Sequence, residues 1–96
     1  MEIVLKKLPT KGDVVEDGDV LANAVLHALN NDPHVQVSFV DMRGLPSSFF
    51  NVLLKRLCGS EYGPQVLERV EFIFDSSAQE KIFDRSKEAV LSRFAA

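Results

Sequence analysis

Hydrophobic and polar positions alternate most clearly in the middle of the chain, in the stretch V-Q-V-S-F-V from Val35 to Val40. A period of two is typical of a strand that buries one face and exposes the other. Asp41 follows directly, at the point where this strand should end. We therefore predict a central strand that carries its apolar side chains into the core and delivers Asp41 to the edge of a sheet.

A sharp loop and a largely apolar helix come next. Gly44 takes positive φ at little cost and Pro46 cannot donate to a strand ladder, so residues 42–46 are predicted to form a turn. Ser47 or Ser48 is then expected to cap the helix with its hydroxyl group. The helix is apolar on most of its faces, at Phe49, Phe50, Val52, Leu53, Leu54, Leu57 and Cys58.

The first third of the chain predicts a strand, a short second strand and a helix. Residues 2–8 have a strand-like pattern, and Val14 and Val15 are expected to pair back as the short second strand. Asp17 or Asp19 is expected to cap the helix, because a carboxylate there also suits the positive end of the helix dipole. The apolar stripe of this helix consists of Val20, Leu21, Ala24, Val25, Ala28 and Leu29.

The last third predicts a short turn, a strand and a long helix. Residues 60–69 have no clear periodicity, although Pro64 is expected to open a short helical turn. Apolar residues alternate again over residues 70–74, which predicts the last strand. Ser77 and Glu80 match the S-x-x-E capping box, so a helix is predicted to follow them.

The order of these elements indicates the fold class. Two strands joined by a helix of this length form a right-handed parallel crossover in nearly all known cases. The early strand pair would add an antiparallel neighbour. We therefore predict a single α/β domain over residues 1–96, in which a small mixed sheet of about four strands carries three main helices.

Composition narrows the classes of function. The net charge of −3 and the pI near 5.3 weigh against nucleic-acid binding, which needs a concentrated basic face. No apolar run approaches the roughly 20 residues that cross a bilayer, and the strand-like N-terminus does not resemble a secretory signal. The single cysteine, Cys58, fits a reducing compartment. We expect a cytoplasmic protein that binds neither nucleic acid nor a membrane.

No constellation of residues points to catalysis, a cofactor or a metal ion. His27 and His34 lack nearby cysteine or carboxylate ligands, and Cys58 has no second cysteine to form a redox pair. The sequence contains no serine–histidine–acid arrangement and no glycine-rich phosphate cradle. We therefore expect a protein that is not an enzyme and needs no cofactor.

Asp41 has two interpretations. A carboxylate at the carboxyl end of a central parallel strand lies where α/β folds bind ligands, and it would suit a phosphoacceptor of the response-regulator kind. That chemistry also needs an acidic pair after the first strand, where this chain has Lys6 and Lys7. The favoured interpretation is structural: Asp41 accepts hydrogen bonds from its loop or pairs with Arg43.

Ser47 and Ser48 also have two interpretations. The first turn of a helix offers free backbone N–H groups and a partial positive charge, and both stabilise a phosphate group. Phosphorylation of either serine would add a charge of about −2 to the loop and change the choice of partner. The simpler alternative is that one serine caps the helix and has no regulatory role.

The central stretch V-S-F-V-D-M-R-G-L-P-S-S-F-F-N-V-L-L resembles the core of STAS domains, named for sulfate transporters and anti-sigma-factor antagonists. It is most similar to the bacterial STAS-like family of unknown function, whose members show Asp-Phe-x-Gly after an apolar strand and Ser-Phe at the start of a helix. Asp41-Met42-Arg43-Gly44 and Ser48-Phe49 match these two motifs. Further similarity lies at residues 16–18, 62–63, 67 and 69–74.

The resemblance implies an interaction module with a mixed sheet, and not an enzyme. In the members that bind anti-sigma kinases, the partner phosphorylates a serine at the start of this helix, and phosphorylation switches binding. The matching position here is Ser48, with Ser47 beside it, although Pro46-Ser47-Ser48-Phe49 replaces the usual Asp-Ser-x-Gly motif. The implied partner is a protein, of the ATPase-like kinase or regulator type.

Three functions compete on this reasoning. The first is a bacterial signalling module that binds a partner protein through residues 41–50 and is switched by serine phosphorylation. The second is a small-ligand or nucleotide-binding domain that uses the helix N-terminus as an anion site. The third is a structural subunit of a homo-oligomer, suggested by the apolar second helix. The expected partner or anion surface consists of Asp41, Arg43, Gly44, Ser47, Ser48, Phe49 and Asn51.

Overall fold

In the computed structural model, which describes residues 1–94, three parallel strands form the sheet. The strands are β1 (Glu2–Val4), β2 (Val35–Ser38) and β3 (Val70–Ile73). β2 is central and pairs with β1 on one side and β3 on the other. The predicted alternation holds at Val35, Gln36 and Val37, of which only Gln36 is exposed, but Ser38 at the end of β2 is buried as well.

Three main helices cover the sheet: α1 (Val14–Leu29), α2 (Ser47–Cys58) and α3 (Ser77–Phe94). α1 joins β1 to β2 and α2 joins β2 to β3, so both crossovers run in the same direction across the sheet. Right-handed crossovers of this kind place both helices on one face. α2 contacts α1 and α3, which explains why it is apolar on most sides. The predicted α/β class with three main helices is confirmed.

Two short 3-10 helices connect the larger elements, at Leu5–Lys7 and Pro64–Arg69. The second confirms the short helical turn predicted at Pro64, whose missing N–H suits the first position of a helix. Over residues 1–94, every helix is either too short or too polar to cross a bilayer.

The predicted short second strand is wrong. Val14 and Val15 are the first residues of α1, so the sheet of residues 1–94 has one strand fewer than predicted and no antiparallel pair. Gly12 has a φ of +83°, which turns the chain directly into the helix. Two valines make too short a run to form a strand where a turn and a helix cap compete for the same backbone.

The cap of α1 also differs from the prediction. Asp13, and not Asp17 or Asp19, is the N-cap, and its side chain accepts a hydrogen bond from the first turn of the helix. The Asp17 carboxylate instead accepts hydrogen bonds from the backbone amides of Lys11 and Gly12, at 2.8 and 3.0 Å. Both aspartates therefore stabilise the turn that leads into α1: Asp13 caps the helix, and Asp17 binds the backbone amides that precede it.

The capping box of α3 lies one residue earlier than predicted. The hydroxyl group of Ser76, and not that of Ser77, accepts a hydrogen bond from the backbone amide of Gln79, at 3.1 Å. The Gln79 side-chain carbonyl in turn accepts a hydrogen bond from the backbone amide of Asp75, at 2.8 Å. Gln79 therefore takes a role like the one expected of Glu80, except that it accepts from the amide of Asp75, one residue before the cap, and not from the amide of the cap residue itself.

An aromatic cluster fills the core between the sheet and the helices. The Phe39 ring is fully buried and lies edge-on to Phe50, with ring centroids 5.4 Å apart. It is also stacked on Phe72 with centroids 6.0 Å apart, and Phe83 of α3 packs against Phe72 at 4.6 Å. These contacts join β2, β3, α2 and α3, so the loops at the ends of these elements start from fixed positions.

Candidate functional site

The carboxyl ends of the three strands meet at one edge of the sheet, because all of them are parallel. We call this edge, with the loops of residues 39–48 and 74–76 that leave it, the carboxyl edge. In α/β folds, ligands and partners are commonly bound at this end of the strands. Asp41 and Asp75 both lie here, shortly after β2 and β3.

Asp41 has a left-handed backbone conformation, with a φ of +66°. Aspartate tolerates this region better than most residues. The Asp41 amide donates a hydrogen bond to an Asp75 carboxylate oxygen at 2.9 Å, and the Asp41 carboxylate lies 3.3 Å from the Lys6 ammonium group. The predicted pairing with Arg43 is wrong, since the Arg43 guanidinium lies beside Asp75 at 3.6 Å.

The buried side chain of Gln79, in α3, connects the loops that follow β2 and β3. Its side chain is 6% exposed, and its amide nitrogen donates a hydrogen bond of 2.7 Å to the backbone carbonyl of Met42. Its carbonyl oxygen accepts from the Asp75 amide, so one side chain links the loop after β2 to the loop after β3. A buried side-chain amide with both ends satisfied holds its partners in one geometry.

Sequence reasoning missed Asp75 and Gln79 as site residues. The usable signal was positional: Asp75 follows the third strand much as Asp41 follows the second. The role of Gln79 had no comparable signal, because a glutamine in the first turn of a helix is common and its partner Met42 is far away in the sequence.

Ser47 and Ser48 are both exposed, at the first two positions of α2. The prediction that one of them caps the helix is wrong: Pro46 is the N-cap, and no side chain makes a capping hydrogen bond there. The backbone carbonyl of Ser47 accepts a hydrogen bond from the Ser86 hydroxyl group at 3.3 Å, which ties the start of α2 to α3. Neither serine hydroxyl is committed to capping.

The other predicted surface residues separate into exposed and buried groups. Arg43 and Gly44 are exposed, and the Arg43 side chain is 92% exposed. Asn51 is half-buried, one turn into α2. Phe49 is 2% exposed and packs against Phe39, so it belongs to the core and not to the surface. The loop residues of the expected surface are therefore exposed, whereas its aromatic residue, Phe49, is buried in the core.

Two open clefts flank this surface. One, of about 400 Å³, lies between the loop and the start of α3 and is lined by Arg43, Gly44, Leu45, Asp75, Ser76, Ala78, Gln79 and Ile82. The other, of about 410 Å³, lies between α2 and α3 and is lined by Ser47, Asn51, Ile82, Arg85, Ser86 and Ala89. Ile82 is 37% exposed and borders both clefts, so an apolar contact point lies among polar groups.

The remaining candidates for chemistry contribute little to this edge. Burial raises the pKa of the Cys58 thiol, which keeps it protonated and unreactive at neutral pH. Among residues 1–94, no three histidine, cysteine, aspartate or glutamate side chains lie close enough to hold a metal ion. Within residues 41–48, the carboxyl edge exposes Asp41, Arg43, Gly44, Pro46, Ser47 and Ser48 to solvent.

Comparisons of this chain with protein-family models, with curated proteins and with solved structures find no match. The resemblance to STAS domains therefore depends on the motifs in residues 16–74, and it stays a prediction. Any functional proposal has to be argued from the geometry of the carboxyl edge.

Proposed function

We propose that this chain is a bacterial, cytoplasmic STAS-like regulatory module, without enzymatic activity, that binds a partner protein through residues 41–50. One observation supports this most strongly. The loop is exposed at Asp41, Arg43 and Gly44, yet hydrogen bonds to Asp75 and Gln79 hold its backbone from the inner side. An exposed loop with a fixed shape binds a partner with little loss of conformational entropy.

The proposed switch is phosphorylation of Ser48, or of its neighbour Ser47, by an ATPase-like kinase partner. Both hydroxyl groups are exposed, and no side chain caps the helix start beside them. A phosphate there is stabilised by the free N–H groups of the first turn. It also adds a charge of about −2 beside an exposed loop, which changes the fit to a charged partner.

The test compares partner recovery by the wild-type chain, by Ser48→Asp and Ser47→Asp, and by a matched control. Ser92→Asp is the control, because Ser92 is exposed near the far end of α3. We expect wild type and Ser92→Asp to recover the same partner, and one of the other variants to lose it. Identical recovery by every variant would reject the switch.

The location of the binding surface needs a separate test. A photo-crosslinking residue at Arg43 should attach to the partner, whereas one at exposed Glu88 on α3 should not. Crosslinking only from Glu88 would show that a partner binds elsewhere and would reject the loop as the interface.

A second candidate is a small-ligand or nucleotide-binding domain that uses the start of α2 as an anion site. The uncapped helix start and the nearby Arg43 favour it, while the carboxylate of Asp75 in the adjoining cleft opposes an anion. A thermal-shift screen with nucleotides and phosphate distinguishes the two, since a ligand at 100 times its Kd stabilises by roughly 2.7 kcal/mol. No shift with any anion would exclude this candidate.

A further inference from the structure

All three main helices lie on one side of the sheet. The two crossovers place α1 and α2 on the same face, and α3 packs against α2 and reaches the rings of Phe72 and Phe74 through Phe83. Within residues 1–94, no helix lies over the opposite face, which we call the open face. Parallel sheets are nearly always covered on both faces. The open face is therefore a surface on which a covering element is expected.

The strand register shows which side chains the open face carries. Aligned positions in the three strands form one row of Glu2, Gln36 and Glu71 and a second row of Val4, Ser38 and Ile73. In the second row Val4 and Ile73 are half-buried, and the small Ser38 between them is 6% exposed. Val40, which is 42% exposed, continues the face beyond the second row. The apolar residues Val4, Ile73 and Val40 lie outside the hydrophobic core cluster, as expected for side chains that point away from the helices.

The two rows give the open face an acidic end and an apolar end. Glu2 and Glu71 are exposed, and the Gln36 side-chain amide donates a hydrogen bond of 3.0 Å to the Glu71 carboxylate. The cations nearest to β1 in the sequence are already paired: the Met1 amino group with Asp32 at 2.9 Å, and Lys6 with Asp41 at 3.3 Å. Arg69, directly before β3, lines the cleft beside Gln36 and Glu71, but its side chain donates a hydrogen bond of 3.1 Å to the Pro33 carbonyl and lies over the Tyr62 ring. The three strands themselves contain no lysine or arginine that could neutralise the acidic row.

The size of the open face selects one kind of occupant. Three strands of four residues or fewer cover roughly 14 by 13 Å, far less than the approximately 800 Å² that each partner buries in a stable dimer. An α-helix about 10 Å wide fits this area. Rows in a strand recur about every 7 Å, so two turns of a helix span the apolar end and the acidic row together.

We propose that the open face docks an amphipathic helix of a partner protein, with an apolar stripe over Val4, Ile73 and Val40 and lysine or arginine beside Glu2 and Glu71. A second copy of this chain fits poorly. If two copies stacked face to face with their strands parallel, the acidic row of one copy would lie against the acidic row of the other. If their strands were antiparallel, the carboxylates of each copy would lie over the apolar end of the other. This surface is distinct from the loop of residues 41–50 and does not depend on the function proposed for that loop.

The test selects binders from a displayed library of stapled helical peptides against the folded chain. Each peptide has a fixed apolar stripe, and lysine, glutamine or glutamate is varied at the flanking positions. We expect selected peptides to be rich in lysine and to bind at least tenfold more weakly to Ile73→Lys and to Glu71→Lys. Glu88→Lys, on exposed α3, is the matched control and should leave binding unchanged. Glutamate-bearing peptides should instead prefer Glu71→Lys.

Ile73→Ala is included with Ile73→Lys, so that loss of binding can be separated from loss of folding, which circular dichroism monitors. Failure to enrich any peptide, enrichment of acidic peptides, or binding that is insensitive to both Ile73 variants would overturn the proposal. Light scattering tests the alternative occupant, which is a second copy of this chain. A concentration-dependent dimer that Ile73→Lys abolishes would show that the second copy covers the open face.

Discussion

The backbone amide of Asp41 donates a hydrogen bond of 2.9 Å to the side-chain carboxylate of Asp75, although the two residues are 34 positions apart. Each residue lies shortly beyond the end of a parallel strand, and the bond joins the loops that follow β2 and β3. It also holds Asp41 in its left-handed conformation. The exposed loop of the candidate site is therefore shaped by a residue that lies outside it.

Replacing Asp75 should loosen this loop. Asp75→Ala removes the acceptor for the Asp41 amide, and we expect it to lower the free energy of unfolding by about 1–2 kcal/mol. Hydrogen exchange of the amides of residues 41–46 should accelerate in the same variant. Asp75→Asn keeps an oxygen acceptor and is the matched control, with a smaller effect on both measurements. Equal exchange rates in all three proteins would show that the bond does not shape the loop.

The aromatic core should respond unequally to truncation. Phe39 is fully buried and contacts Phe49, Phe50, Phe72 and Phe74, so Phe39→Ala should cost about 3–5 kcal/mol. Phe72 is only half-buried, and Phe72→Ala should cost clearly less. Urea unfolding of both variants measures the difference, and equal losses would contradict the burial seen here.

Local patterns in the sequence were sufficient to predict most of the strands and helices of the fold. Strict alternation predicted β2, apolar spacing predicted α2, and Pro64 marked the 3-10 turn before β3. Each of these signals acts over a few neighbouring residues. The second strand predicted at Val14 and Val15 failed for the same reason, because a glycine turn and the Asp13 cap compete over the same short distance.

Long-range contacts were beyond the reach of such patterns. Nothing local indicates that Asp41 meets Lys6 and Asp75 in place of nearby Arg43, since strand order decides which loops lie side by side. The burial of Phe49 has a similar origin, because it depends on the position of Phe39 across the core. The exposed serines and the loop were predictable in the sequence; the groups that hold them were not.

Cys58 should make stability sensitive to alkaline pH. Burial raises the pKa of its thiol above the ordinary value of 9.0. The stabilisation is therefore fully present below about pH 9 and is lost as the pH rises through the folded-state pKa. We expect the free energy of unfolding to fall above this pH in wild type and to fall less in Cys58→Ala.

A thiol reagent gives an independent measurement of the same burial. The native chain should react slowly with it at neutral pH, and the rate should rise sharply in denaturant as Cys58 becomes exposed. Rapid labelling of the folded protein would show that the thiol is accessible and would contradict the expected pH dependence.

Gly18 should tolerate no side chain, although it lies inside a helix. A glycine-to-alanine change within a helix ordinarily stabilises by about 1 kcal/mol. Here an added Cβ would lie 2.7 Å from Cγ1 and 3.0 Å from Cβ of Val52, where α1 approaches α2. Valine has little freedom to change its rotamer in a helix, so the contact has to be relieved by separating the helices. We expect Gly18→Ala to destabilise by about 1–3 kcal/mol.

Changing both Gly18 and Val52 tests whether the contact between them is the cause of the destabilisation. In a Val52→Ala background Cγ1, which makes the closest contact at 2.7 Å, is absent, whereas the Cβ atom at 3.0 Å remains. Gly18→Ala should therefore destabilise clearly less in this background than in wild type, because helix propensity then opposes a smaller clash. A double-mutant cycle measured by urea unfolding gives the interaction between the two positions, which should be large because the residues are in contact. If Gly18→Ala has the same effect in both backgrounds, the two helices do not meet at this point, and the packing of α1 on α2 would have to be different.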